Sequence, residues 1–116
     1  MYFSENPFAN SVTAYIQLIR HQDNSQTIAN VLLGPEMTIN SLDEYKEVAF
    51  FAGRTTADGW LSFDGVPLNW RGQIIFYTDS GEIYYRNFFY IDESATSFHY
   101  PYRWSVMTDL NSGYNY

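Results

Sequence analysis

An α+β fold is the class that the sequence predicts: an antiparallel β-sheet of about five or six strands, with a single α-helix at about residues 41–52 packed on one face. Short apolar segments separated by Gly, Pro, Asn and Asp recur along the chain, which is typical of strands joined by turns. Only one stretch combines helical spacing with a start and a stop signal. A chain of 116 residues that is 20% aromatic and 16% charged is predicted to form one compact domain, 1–116, and not a disordered segment.

The first predicted strand covers residues 12–20, VTAYIQLIR, because apolar residues alternate along it. Its apolar side carries Val12, Ala14, Ile16 and Leu18. The turn residues HQDNS follow, and TIANVLL at 27–33 predicts a second strand. The two strands are therefore predicted to pair as a hairpin that ends at Gly34 and Pro35.

The predicted helix begins near Ser41, in the sequence SLDEYKEVAFFAG. Ser41 and Glu44 have the spacing of a capping box, and Gly53 is a stop signal. Helical spacing predicts a buried stripe of Leu42, Tyr45, Val48, Ala49 and Ala52. Three acidic residues then lie on or beside the outer face, namely Asp43, Glu44 and Glu47.

Shorter apolar segments follow the helix. WLSF and VPLNW are separated by Asp64 and Gly65, and Pro67 places the second segment at a sheet edge or in a loop, because proline cannot donate a ladder hydrogen bond. The last predicted strand is 97–107, SFHYPYRWSVM, interrupted by Pro101. The tail contains Tyr114 and Tyr116, and we expect it to be held against the domain.

An aromatic hairpin is predicted over residues 73–91, QIIFYTDSGEIYYRNFFYI. The three-residue loop Asp79-Ser80-Gly81 is typical of a type I turn followed by a glycine bulge. Its register pairs Thr78 with Glu82, Tyr77 with Ile83, Phe76 with Tyr84 and Ile75 with Tyr85. One face then carries Ile75, Tyr77, Ile83, Tyr85, Phe89 and Ile91, with Asn87 among them. The other face carries Ile74, Phe76, Thr78, Glu82, Tyr84, Arg86, Phe88 and Tyr90.

The first hairpin face is the more aliphatic, so we expect Tyr45 and Val48 of the helix to pack on it. Two alternatives remain for the second face. It is covered by the 97–107 strand and the tail, or it is kept as a binding surface. Tyrosine and arginine are enriched at protein interfaces, so the second alternative makes the predicted contact residues Tyr84, Arg86, Phe88 and Tyr90.

No catalytic, cofactor or metal site is predicted. Cysteine is absent, which excludes disulfides and thiolate ligands. His21 and His99 have no metal-ligand spacing, no nucleophile elbow is present, and Asp58 and Asp64 do not fit a calcium loop. We therefore expect a protein that is not an enzyme and uses no cofactor. Three tryptophans beside acidic residues also fit a sugar-binding platform; they are Trp60, Trp70 and Trp104.

The charge is strongly acidic, with 13 Asp and Glu against 6 Lys and Arg and a net charge of −7. Such a chain is repelled by phosphates, so direct nucleic-acid binding is not expected. The charge serves solubility, or it attracts a basic partner. No signal peptide and no membrane-spanning run are found in the sequence, which predicts a cytoplasmic protein without membrane contact, in the host cytoplasm if it is viral.

These observations lead to a non-catalytic, acidic protein-binding domain as the first hypothesis, an inhibitor or adaptor that docks on a basic, nucleic-acid-binding protein surface. Its carboxylates, from Asp43, Glu44 and Glu47, would sit where phosphates sit. In size and composition the chain resembles the small inhibitors that bacteriophages direct against host defence or transcription machinery. The alternative is a self-associating structural subunit of a virion or other assembly, and a third is a small sugar-binding module or enzyme.

Overall fold

Two β-sheets, and not the single sheet predicted, make up most of the fold. The structure is a computed structural model that describes residues 11–56 and 60–105. Its elements are β1 (Ser11–Arg20), β2 (Asn30–Pro35), α1 (Leu42–Val48), β3 (Phe51–Arg54), β4 (Leu61–Pro67), β5 (Trp70–Tyr77), β6 (Ile83–Ile91) and β7 (Phe98–Trp104). The fold is broadly α+β, as predicted, but its strands are divided between a three-stranded sheet, β4-β1-β7, and a four-stranded sheet, β3-β2-β5-β6.

The strand pairs within residues 11–56 and 60–105 are antiparallel with one exception. In the three-stranded sheet β1 is antiparallel to β4 and parallel to β7. In the four-stranded sheet β2 lies between β3 and β5, and β6 follows β5 at the edge. Pro67 lies on β4, an edge strand as predicted, and β7 continues through Pro101 at the opposite edge of the same sheet.

The predicted hairpin between the first two strands is wrong. The chain starts to turn back, since the Thr27 N–H donates to the Leu18 carbonyl at 2.8 Å, but β2 then enters the other sheet. Burial explains the separation. Strand β1 alternates between buried and more exposed residues, whereas the central four residues of β2 are all buried. A strand covered on both faces belongs in the middle layer of the fold, and β1 belongs in an outer one.

Two apolar layers result. The predicted stripe of β1 is confirmed, because Val12, Ala14, Ile16 and Leu18 are buried between the sheets. They pack in one cluster with residues of the four-stranded sheet that include Val31, Leu33, Ile74 and Phe76. The second cluster lies on the other side of that sheet, beneath α1, and consists of Leu32, Ile39, Tyr45, Ile75 and Ile83.

Helix α1 begins as predicted and ends early. The Glu44 N–H donates to Ser41 Oγ at 3.1 Å, and the Glu44 carboxylate accepts from the Asn40 N–H at 2.9 Å. The predicted end at residue 52 is wrong, because Ala49 is extended (φ −63°, ψ 144°) and β3 begins at Phe51. Tyr45 is buried, but Val48 is 37% exposed, so its predicted burial is wrong as well.

The aromatic hairpin turns where it was predicted to turn. Gly81 has φ +96°, and the Thr78 N–H donates to the Glu82 carbonyl at 2.8 Å. Tyr77 pairs with Ile83 as predicted. A bulge then places Phe76 opposite Tyr85, so the predicted pairs of Phe76 with Tyr84 and of Ile75 with Tyr85 are wrong.

This bulge moves the following residues of β6 to the opposite face from the predicted one, because side chains alternate along a strand. Tyr85, Phe89 and Ile91 therefore belong to the cluster between the sheets and do not lie beneath the helix. Arg86 instead pairs with Ile75, on the helix side.

Strand β7 covers the face of the hairpin that points to the three-stranded sheet. Tyr102 stacks on Tyr85 with ring centroids 3.5 Å apart, and the Phe98 and Phe89 rings lie 5.2 Å apart. Of the two alternatives for an aromatic hairpin face, coverage by this strand is the one observed here. The predicted contribution of the tail, with Tyr114 and Tyr116, lies outside the described residues.

Candidate functional site

The three acidic residues of α1 are all exposed, but they are not equally available to a partner. Asp43 forms an ion pair with Lys46, with a carboxylate oxygen 3.5 Å from Nζ. Because both side chains are exposed, that pair contributes little to stability and is readily exchanged for another partner. Glu44 is engaged in capping the helix. Glu47 forms no ion pair with the rest of the described chain, so its carboxylate is the most available of the three.

Two exposed apolar side chains follow directly. Val48 is 37% exposed and Phe50 is 58% exposed, and the Phe50 ring centroid lies 5.6 Å from that of Trp70. Glu47, Val48 and Phe50 together are called the α1 edge below. Exposed large hydrophobics beside a carboxylate are the combination expected of an interface centre and its rim.

The backbone beneath the α1 edge is fixed by three hydrogen bonds. Tyr45 Oη donates to the Pro35 carbonyl at 2.7 Å, the Ala49 N–H donates to the Tyr45 carbonyl at 2.9 Å, and the Phe50 N–H donates to the Leu33 carbonyl at 2.8 Å. Gly34 permits this approach, because a Cβ there would lie 2.6 Å from Tyr45 Oη. The α1 edge is therefore held on a strand and not on a free loop.

The predicted contact residues of β6 do not share one surface. Tyr84 is half-buried, with its ring centroid 4.8 Å from that of Trp104, and Arg86 is only 1% exposed. Phe88 is half-buried and Tyr90 is 48% exposed. Glu36, Arg71, Phe88, Phe89 and Tyr90 line an open pocket of about 270 Å³. The bulge at Tyr84 turns this side chain toward the cluster between the sheets. Arg86, Phe88 and Tyr90 keep a common face, on which Arg86 is buried whereas Phe88 and Tyr90 are partly exposed.

Arg86 belongs to a buried polar cluster beneath the helix. Its Nη2 donates to Gln73 Oε1 at 3.5 Å, and Gln73 is fully buried. Burial raises the pKa of Tyr45, against the opposing effects of a hydrogen bond with Gln73 and of the Arg86 charge. The Arg86 side chain therefore contributes to the interior of the protein and offers almost no contact area to a partner.

A separate aromatic pocket lies on the outer face of the three-stranded sheet. Tyr15, Trp60, Ser62 and His99 line about 370 Å³. The ring centroids of Tyr15 and His99 are 5.0 Å apart, and those of Trp60 and His99 are 6.0 Å apart. Since the four-stranded sheet lies between the three-stranded sheet and α1, this pocket and the α1 edge are on opposite sides of the domain.

The sequence pointed to only one residue of this pocket. Trp60 was a candidate for a sugar platform, together with Trp70 and Trp104, but those two are half-buried at the margin of the core. Trp104 Nε1 donates to Thr27 Oγ1 at 2.7 Å, which fixes that ring. The outward position of Tyr15 could have been read from the alternation of β1. Its meeting with His99 depends on the parallel β1–β7 pair, which no local signal indicates.

Two other acidic residues, Asp64 and Asp92, have local structural roles. Asp64 accepts from Thr13 Oγ1 at 3.0 Å, and Asp92 accepts from the Ser94 N–H at 3.0 Å. Hydrogen bonds from the Ser94 side chain and backbone hold the pKa of Asp92 below its usual range. Within residues 11–56 and 60–105, no three His, Cys, Asp or Glu side chains are placed to hold a metal ion. Asp58 lies outside the described residues.

No described helix has the length and apolar character needed to cross a bilayer. A comparison with protein-family models and one with curated proteins find no match to this chain.

Proposed function

We propose that this protein is a non-catalytic, acidic protein-binding domain, an inhibitor or adaptor that docks on a basic protein surface through the α1 edge. The observation that carries the proposal is the exposure of Val48 and Phe50 directly after the acidic residues of α1. An apolar centre supplies the area that is removed from water, and charged groups around it select the partner.

Preorganisation favours this surface. The N–H groups of Ala49 and Phe50 are already hydrogen-bonded to the carbonyls of Tyr45 and Leu33, so binding does not have to order this backbone. The Phe50 ring also rests against Trp70, which limits the rotamer freedom that binding would remove. A small number of well-held side chains is the usual origin of interface hot spots.

The charge defines the partner. A net charge of −7 accelerates the approach of a basic surface at ordinary ionic strength. Asp43 and Glu47 are one helical turn apart, a spacing at which Cβ atoms lie roughly 5–6 Å from each other. Two carboxylates at that spacing can each accept from a Lys or Arg that otherwise contacts phosphate. The proposed partner is therefore a nucleic-acid-binding protein, and the proposed role is that of a phage-type inhibitor acting in the cytoplasm, a reducing compartment that a chain without cysteine suits.

The test is capture of partners by the wild-type protein and three variants in parallel. Phe50→Asp and Glu47→Lys alter the α1 edge, and Ile28→Asp is the matched control because Ile28 is also exposed, at 46%, but lies outside it. Support requires a captured protein that both α1-edge variants lose, that the control retains, and that a DNA or RNA oligonucleotide displaces. A partner retained equally by all variants contradicts the proposal.

Light scattering on the same samples distinguishes the alternative of an assembly subunit. A subunit forms larger particles as its concentration rises, and Phe50→Asp abolishes them. A protein that stays monomeric and captures nothing also counts against the proposed docking function.

A further inference from the structure

The aromatic pocket on the outer face of the three-stranded sheet has walls built from three different strands or their ends. Tyr15 is on β1, His99 is on β7, and Trp60 immediately precedes β4. Tyr15 pairs with Ser62 on one side and with His99 on the other, so strand register fixes their positions. Its volume of about 370 Å³ lies within the usual range for small-ligand sites, roughly 300–1,000 Å³.

The rings of the pocket are inclined to one another. The Tyr15 and His99 planes meet at 52°, and the Trp60 and His99 planes meet at 62°. Coplanar rings would give one flat platform, which suits the stacking of a planar or ring-shaped ligand. Inclined rings enclose a volume instead, and a compact, roughly spherical group can contact several of them at once.

We propose that this pocket binds a methylated ammonium group, as found in choline and in trimethylated lysine side chains. The faces of tryptophan and tyrosine rings carry the negative part of the aromatic quadrupole and attract such cations. The methyl groups also remove apolar surface from water, whereas an unmethylated ammonium is more strongly hydrated and costs more to desolvate.

The charges around the pocket favour a cation. Its described lining consists of the three rings and Ser62, and contains neither Lys nor Arg. Asp64 lies two residues beyond Ser62 on β4, exposed and hydrogen-bonded to Thr13. Arg103, four residues beyond His99, donates to Asn24 Oδ1 at the far end of β7. The net charge of −7 adds attraction over a longer range.

This inference is independent of the proposed protein-binding function. The pocket lies on the opposite side of the domain from the α1 edge, so variants of one surface leave the other intact. Failure of either proposal therefore does not decide the other.

Choline is the first probe, and its uncharged analogue, in which a tert-butyl carbon replaces the nitrogen, is the matched control ligand. Binding is followed by NMR shifts of the Trp60 and His99 side chains at millimolar concentration. Choline is expected to bind about tenfold more tightly than the analogue, since cation–π attraction supplies the difference. Equal binding of the two ligands overturns the proposal, and so does binding of a methyl glucoside without binding of choline.

Variants locate the site. Trp60→Leu keeps an apolar side chain and removes the ring, so we expect at least a fivefold loss of choline affinity, and Phe50→Ala on the opposite side leaves it unchanged. Trp60 is 42% exposed, so Trp60→Leu should fold. If a thermal melt shows that it does not, Tyr15→Leu is used in its place. Unchanged affinity in the ring variants overturns the proposal. A trimethyl-lysine peptide and phosphocholine vesicles, compared with choline, then identify the source of the group.

Discussion

Gly34 is the position at which one methyl group tests the packing of α1 on the four-stranded sheet. Gly34→Ala adds a Cβ that would lie 2.6 Å from Tyr45 Oη, 2.9 Å from Tyr45 Cζ and 3.0 Å from Ala49 Cα. The first two atoms belong to the fully buried side chain of Tyr45, and the third is backbone. Either the Tyr45 ring or the end of the helix must move.

The expected loss of free energy of unfolding has two contributions. Forcing an extra methyl into a packed site costs about 1–3 kcal/mol in free energy of unfolding. Displacing Tyr45 also breaks its 2.7 Å hydrogen bond to the Pro35 carbonyl, and leaving the buried Tyr45 hydroxyl without this partner costs about 1–3 kcal/mol. We therefore expect Gly34→Ala to lower the free energy of unfolding by about 2–6 kcal/mol.

Urea unfolding of four proteins checks this reasoning: wild type, Gly34→Ala, Tyr45→Phe and the double variant. Tyr45→Phe removes the hydroxyl that the new methyl meets first, so the two costs should not add. We expect a coupling of about 0.5–3 kcal/mol that makes the double variant less destabilised than the sum. A Gly34→Ala cost below about 0.5 kcal/mol, the usual range for surface substitutions, would refute the proposed close packing.

Three further predictions follow from other positions. Gly81→Val should cost more than ~1 kcal/mol, because Gly81 has φ +96° while an added Cβ would meet no atom within 4 Å, so the cost is conformational and not steric; an unchanged melting temperature contradicts it. Val48→Ala should change the free energy of unfolding by less than about 0.5 kcal/mol, because Val48 is 37% exposed. If urea unfolding shows a loss as large as that of a core substitution, Val48 is buried and this prediction is wrong. Burial raises the pKa of Tyr102 to about 12 and raises the pKa of Tyr45 and Tyr100 as well. Unfolded tyrosines ionise near pH ~10. The folded state keeps these three tyrosines neutral, so their contribution to the free energy of unfolding is complete below that pH and is lost as pH rises through the pKa values of the folded protein. Absorbance titration should show these tyrosines ionising only as the circular dichroism of the folded state disappears.

Local signals account for the parts of the fold that the sequence predicts correctly. Ser41 and Glu44 cap the helix because both partners of the motif lie within one turn. Gly81 turns the hairpin because the loop chemistry is confined to three residues. The alternation of β1 gives its buried side for the same reason. None of these features depends on which strand lies next to which.

The incorrect sequence predictions concern strand facing and sheet membership, which depend on residues elsewhere in the chain. The bulge at Tyr84 reverses the facing of the following residues of β6, and it places Tyr85 where it can stack on Tyr102 of β7, which belongs to the other sheet. The apolar run in β2 is also compatible with burial on both sides, but only the presence of a second sheet decides it. The aromatic pocket has the same origin, because the parallel pairing of β1 with β7 brings His99 to Tyr15.

The order of the layers determines which side chains remain exposed on each proposed surface. The four-stranded sheet is covered on both faces, by the other sheet and by α1, and it therefore carries the rigid interior, including the buried Arg86 and Gln73. Its outer layer is a helix of only seven residues, too short to cover the whole sheet, which is why Val48 and Phe50 at its end remain in contact with water. The three-stranded sheet keeps its outward side chains exposed at Tyr15 and Trp60. The two sides differ in what they offer, carboxylates around an apolar edge on one and inclined rings on the other, so we expect them to bind different partners.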